Sequence, residues 1–139
     1  MPRIQLTDHD LPRVEELVAL YDSVGWNTYT RDPSLLYDAM SRSLRVVCAR
    51  DGDRLVGLAR VVGDGLTIVY LQDILVAPTH QRRQIGTRLL QSVLEPFCTV
   101  RQKALITDDE PRQRAFYEAR GFTEIRDMDS PIRAFVKFD

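Results

Sequence analysis

The run Gln81-Arg82-Arg83-Gln84-Ile85-Gly86-Thr87-Arg88 follows a nearly unbroken apolar segment, Leu66 to Val76, and the breaker Ala77-Pro78. A buried strand therefore passes through a short basic loop directly into an amphipathic helix. The first turn of a helix presents unpaired N–H groups and the positive end of its dipole, so this junction suits a phosphate or pyrophosphate. Arg82, Arg83 and Arg88 add positive charge at the same place. A solvated basic helix start is the competing reading. Three arginines directly after a buried strand fit it less well. The G-x-x-x-x-G-K-[ST] pattern of a P-loop is absent.

Gln72 and Asp73 interrupt the apolar strand, one on each alternating face. A carboxylate in such a strand must be paired, hydrated or protonated. Burial would raise its pKa from roughly 3.9 toward a range useful to a base. Asp73 is read in equal measure as a base and as a structural carboxylate paired with an arginine such as Arg60. His80, just before the basic loop, reads as an exposed loop residue. The two histidines have no ligand spacing, so no metal site is expected. Cys48 and Cys98 lie in apolar stretches and read as two reduced core thiols.

The elements that must position these groups follow from periodicity and turn residues. Ile4 to Thr7 alternates as a short strand, and Leu11, Val14, Leu17, Val18, Tyr21 and Val24 recur at helical spacing up to Gly25-Trp26. A loop from Asn27 to Asp32 leads through Pro33 into a second helix. Asp51-Gly52-Asp53 and Asp64-Gly65 join three β-rich runs as successive hairpins. Ile85, Leu89, Leu90, Val93, Leu94 and Phe97 form the inner stripe of the third helix. Ala104 to Thr107 reads as a strand, and Pro111 to about Arg120 as a helix stopped by Gly121. Two final strands are expected near residues 122–126 and 132–138. The order is β-α-α-β-β-β-α-β-α-β-β: an α/β fold, a mixed, mostly antiparallel sheet of six or seven strands flanked by four helices.

The 139 residues, 44% hydrophobic and 28% charged, suit one domain over residues 1–139. A net charge of −1 gives no push toward nucleic acid or an anionic membrane. No segment approaches membrane-spanning length, and Met-Pro-Arg-Ile-Gln-Leu lacks the apolar run of a signal peptide, so a cytoplasmic location is expected.

Three pieces, in order, resemble the GNAT superfamily of acetyl-CoA-dependent N-acetyltransferases. Asp73-Ile74-Leu75-Val76-Ala77-Pro78 is similar to the family's central strand and its V-x-P exit. Gln81 to Gly86 is similar to its R/Q-x-x-G-x-G/A pyrophosphate loop, and Phe116-Tyr117-Glu118-Ala119-Arg120-Gly121-Phe122 to the F-Y-x-x-x-G-F of its last helix. The chain departs from the pattern at Gln84, where the family has Gly, and at Glu110, where it often has Asn. Gln84 is compatible with the loop if its φ is negative and its side chain points outward.

The resemblance implies transfer of an acetyl group from acetyl-CoA to a primary amine of a small molecule or peptide, by direct attack in a ternary complex. Cofactor contacts would fall on Ile74, Leu75 and Val76 through backbone groups beside a splayed strand, on Gln81, Arg82, Arg83, Gln84, Ile85, Gly86 and Thr87 in the loop, and on Tyr117. Tyr117 would act as general acid, because a phenol of pKa about 10 can protonate a leaving thiolate of pKa near 8.5. Asp73 would take the ammonium proton, commonly through water. Trp26 and Tyr29 would line the acceptor side of the cleft, or pin that loop to the core. Dimerisation is common in the family, which makes a second copy a candidate partner. A non-catalytic acyl-CoA-binding module is the alternative implied by Gln84 and Glu110.

Overall fold

The β-rich runs and Asp-Gly turns become an antiparallel meander in the computed structural model, which describes residues 3–139. Its strands are β1 (Ile4–Thr7), β2 (Arg45–Asp51), β3 (Arg54–Gly63) and β4 (Ile68–Val76). A fifth, β5 (Gln102–Leu105), adds to β4 in parallel, and the sheet order is β1-β2-β3-β4-β5. The fold is the mixed α/β sheet the sequence implies, with five strands among the described residues in place of six or seven.

Local chemistry explains the turns. The second hairpin closes on Asp64, whose Oδ1 accepts from the backbone N–H groups of Leu66, Thr67 and Ile68, while Oδ2 accepts from the Thr67 hydroxyl. Gly63 beside it has φ 130°, and a Cβ there would stand 2.5 Å from the Ile68 carbonyl oxygen, so only glycine fits.

The helices are α1 (Val14–Ser23), α2 (Asn27–Thr30), α3 (Pro33–Ser41), α4 (Ile85–Leu94) and α5 (Pro111–Glu118). The single turn α2 occupies the stretch expected to be a loop. Leu17, Leu20 and Tyr21 of α1 and Leu36 and Met40 of α3 bury against Cys48, Leu58 and Leu75 of the sheet. Helix α4 packs on β2, β3 and β4 through Ile85, Leu89, Leu90 and Val93. Leu89 lies where a Cβ on Gly57 would come within 3.0 Å, and Gly57 alternates with Leu58 along β3, so α4 covers the face opposite α1 and α3.

The chain divides into two compact units, one extending to Leu105 and the other Ile106–Asp139. In the second unit, residues 122–126 and 132–138 form no strand. Arg114 of α5 binds the carboxylates of Glu118, Glu124 and Asp127, which folds residues 122–127 back beside the helix as a 3-10 turn, Ile125–Asp127. Pro131 follows. Beyond it the apolar residues Ile132, Phe135, Val136 and Phe138 are exposed without a strand partner. A strand exists only where a neighbour supplies its ladder.

Candidate active site

Strand β4 carries the first half of the site. Its ladder with β5 runs only from Ile68 to Leu71, so residues 72–76 leave their β5-side edge unpaired while Ile74, Leu75 and Val76 pair β3. This is the splay expected for Ile74, Leu75 and Val76. On the β3 side, Arg60 faces Asp73 and Val61 faces Leu71, which leaves Gln72 as the extra residue of a β-bulge. A bulge re-aims side chains. Here it sets Gln72 and Asp73 toward one partner, Tyr29, in place of the opposite faces that simple alternation implies.

Asp73 is 2% exposed and accepts three hydrogen bonds. Its Oδ2 takes the Tyr21 hydroxyl at 2.9 Å and the Arg60 Nε–H at 2.7 Å, and its Oδ1 takes the Tyr29 hydroxyl at 2.7 Å. Three donors face the carboxylate, one of them the Arg60 guanidinium. Pairing with Arg60, one of its two expected roles, is present. Burial acts to lower the Arg60 pKa, but the charge and hydrogen bond of Asp73 raise it overall. Tyr21 and Tyr29 both have phenols pushed up by burial and then by the Asp73 charge, so both stay protonated donors. Gln72 Nε2 donates to the Tyr29 oxygen at 3.0 Å.

Trp26 stands beside this network. Its ring centroid is 5.8 Å from that of Tyr21 and 6.2 Å from that of Tyr29, and the two tyrosine rings meet edge-on at 5.2 Å. Trp26 and Tyr29 thereby stand beside Asp73, and both pack against the core cluster under α1 and α3. Tyr21 was legible only as part of an apolar helical stripe. The signal for its role was a hydroxyl on that stripe facing a strand with a buried charge.

The basic loop forms the second half. Arg82 and Gln84 both adopt left-handed backbone, with φ 65° and 61°, and Gln84 is the N-cap of α4 with no side-chain capping bond. The negative φ expected of Gln84 is therefore corrected. The chain reverses so tightly here that the cap residue enters the region glycine prefers. Its side chain does point outward, being exposed along with Gln81, Arg82 and Arg83, while Gly86 and Thr87 are half-buried and Ile85 anchors in the core. Gln81 Nε2 donates to the Val76 carbonyl at 3.0 Å, which ties the loop to the splayed strand. Arg88 donates to the Ile4 carbonyl oxygen of β1 at 3.4 Å.

His80 is buried, not exposed. Its Nε2 lies 2.8 Å from Asp51 Oδ2 and its Nδ1 2.7 Å from the Thr79 hydroxyl, so it pins the start of the loop to the end of β2. Cys48 is a core thiol pushed up to about 11 by burial, whereas Cys98 is exposed, contrary to the expected pair of core thiols. Among the described residues no His, Cys, Asp or Glu group could hold a metal, and no helix is long and apolar enough to cross a membrane.

In the second unit, Tyr117 lies on α5 with its ring edge-on to Phe116 at 5.1 Å and to Phe122 at 5.8 Å. Burial pushes its phenol up to about 12. Arg120 stacks over Phe116 at 4.1 Å. The F-Y-x-x-x-G-F motif thus makes one aromatic cluster, closed by Gly121 at φ 92°.

Comparison with known proteins gives the family and the fold. Residues 42–124 match the profile of the acetyltransferase (GNAT) domain. A GNAT family acetyltransferase of Streptococcus pneumoniae is 32% identical, with a TM-score of 0.83 over 99% of this chain and 100% of that one. An uncharacterised ycf52-like N-acetyltransferase of Prochlorococcus marinus is 29% identical over 78% of this chain, which spans 61% of that relative's length. An aminoglycoside N-acetyltransferase solved in complex with CoA shares the fold at a TM-score of 0.71 and 18% identity, over 97% of this chain and 95% of that one.

Proposed function

The chain belongs to the GNAT acetyltransferase family, and from that premise we propose that it moves an acetyl group from acetyl-CoA to a primary amine. The observation that carries this reading is the splayed edge of β4 running into the strained basic loop. Such an edge offers backbone groups at Ile74, Leu75 and Val76 to an extended amide-bearing arm, and the loop offers N–H groups of Gln81, Arg82, Arg83, Gln84, Ile85, Gly86 and Thr87 to the attached pyrophosphate. The CoA complex of the aminoglycoside-acetylating neighbour supports the choice of cofactor.

The reaction joins the amine nitrogen to the thioester carbonyl carbon and breaks the carbon–sulfur bond. The ammonium nitrogen gives up two protons, one before the attack and one after it; Tyr117, whose raised pKa keeps it protonated at neutral pH, protonates the departing thiolate and is restored by the second. Asp73 enters as the buried anion behind Tyr29. With both its oxygens already engaged, the ammonium proton leaves through water. Trp26 and Tyr29 line the acceptor side. The acceptor is a small-molecule or peptidyl amine, and a second copy of the chain is a candidate partner.

Calorimetric titration with acetyl-CoA tests the reading, with desulfo-CoA and 3′,5′-ADP as controls. Micromolar binding of acetyl-CoA is expected, with weaker binding of 3′,5′-ADP. No heat up to millimolar cofactor would sink the transferase reading.

A further inference from the structure

We infer that Tyr29 and Gln72 form a two-acceptor seat that selects a primary ammonium group, with the buried Asp73 carboxylate supplying charge behind it. The hydroxyl of Tyr29 gives its one proton to Asp73 Oδ1 at 2.7 Å and receives Gln72 Nε2–H at 3.0 Å. A phenolic oxygen has a second lone pair, and that lone pair remains for a ligand. The oxygen is a strengthened acceptor, because donation to a carboxylate polarises the O–H bond. Gln72 spends its amide N–H on Tyr29, so its carbonyl oxygen accepts no hydrogen bond among the described residues.

The β-bulge is what makes the pair. Without the extra residue, Gln72 would face away from Asp73 and could not share Tyr29 with it. Gln72 is exposed, Tyr29 is half-buried and Asp73 is buried, so the network runs from solvent to the carboxylate end of the Asp73–Arg60 ion pair. Arg60 and Tyr21 hold that charge in place from below. Two neutral acceptors in front of the carboxylate end of the Asp73–Arg60 ion pair match a cation with at least two N–H groups. A primary ammonium has three. A tertiary ammonium has one and leaves one acceptor unpaired.

The seat rests on the transferase reading only in taking this amine to be the acetyl acceptor. Its test is independent of the cofactor. Trp26 is the single tryptophan, and its ring lies 6.2 Å from that of Tyr29, so its fluorescence reports binding at the seat. The full chain, free of acetyl-CoA, is titrated at pH 7 with 2-phenylethylammonium and with its N,N-dimethyl counterpart. The primary amine is expected to bind on the order of tenfold more tightly, the effect of one hydrogen bond to a charged group. That preference should fall to about twofold or less in both Tyr29→Phe and Gln72→Leu. Gln72 is exposed, so Gln72→Leu decides the matter even if Tyr29→Phe loosens the fold. Equal binding of the two amines, no saturable signal, or a preference that survives Gln72→Leu would overturn the seat. Acetyl-CoA titrated in parallel separates the two readings. Cofactor binding without amine preference removes the seat and leaves the transferase, and the converse removes the transferase alone.

Discussion

Gln84 occupies a left-handed backbone that glycine adopts freely and other residues enter at a cost of about 1 kcal/mol. Because Gln84→Gly also loosens the unfolded chain, the informative comparison is between two small residues. Gln84→Gly should be about 1 kcal/mol more stable than Gln84→Ala by urea denaturation, with acetyl-CoA affinity retained in both. Equal stabilities would mean that the loop relaxes to a negative φ. Asp73 presents a different balance. Removing its charge strands the Arg60 guanidinium in the core, and Asp73→Asn should lose about 3 kcal/mol of stability. A loss under about 1 kcal/mol would show that water reaches Arg60. Tyr117 is tested by kinetics. Tyr117→Phe should lower kcat about a hundredfold with acetyl-CoA affinity unchanged. The wild type should show no basic limb from this phenol below about pH 10, since burial pushes its pKa up to about 12. The carboxylate and the loop stood out in the sequence because each interrupts an apolar pattern, whereas Tyr117 was marked only by the resemblance of its motif. The sign of φ at Gln84 was not legible, since it depends on how sharply the chain must turn to start α4 against the sheet.

Elements explain what holds the site in shape. The loop before α4 is tied at two points, by Gln81 to the Val76 carbonyl and by His80 to Asp51. His80→Ala removes the second tie and leaves Asp51 without its partner. It should cost about 1 kcal/mol and weaken acetyl-CoA binding several-fold, read by denaturation and calorimetry on the same preparation. The Asp64 turn sets the start of β4. The Thr67 hydroxyl and three backbone N–H groups hold the Asp64 carboxyl well below its ordinary value of 3.8. A lowered folded-state pKa gives stability that is present above that ordinary value and lost as pH falls through the folded one. Melting temperature should therefore fall in the acid range below about pH 4, and less steeply in Asp64→Asn, which keeps an oxygen for the same N–H groups. Parallel acid slopes would remove Asp64 from the account. The hairpins themselves were legible because Asp-Gly turns act locally. The bulge at Gln72 was not, because register depends on what β3 offers across the ladder, and a one-residue surplus leaves no mark in a single strand. His80 was misplaced for the same reason. Its partner Asp51 is distant in sequence.

At the scale of the whole molecule, apolar periodicity and turn residues gave the antiparallel run of β2, β3 and β4 and the order of elements along the chain as far as α5. They failed at the C-terminal end. Residues 132–138 alternate as a strand does, yet they lie unpaired with Phe135 and Phe138 exposed at 88% and 85%. Alternation states which residues would share a face. It does not supply a neighbour, and Arg114 diverts the preceding segment into ion pairs beside α5. This makes a prediction about the free chain. Side chains so exposed contribute little, and the double substitution Phe135→Ser and Phe138→Ser should change stability by less than about 0.5 kcal/mol. Leu89→Ala in the buried stripe of α4 should cost about 3 kcal/mol in the same assay, which calibrates it. The two outcomes lead to different molecules. A small change places these rings in water. A loss above about 1 kcal/mol that grows with protein concentration would place them against a second copy, because only an associating partner makes stability depend on concentration.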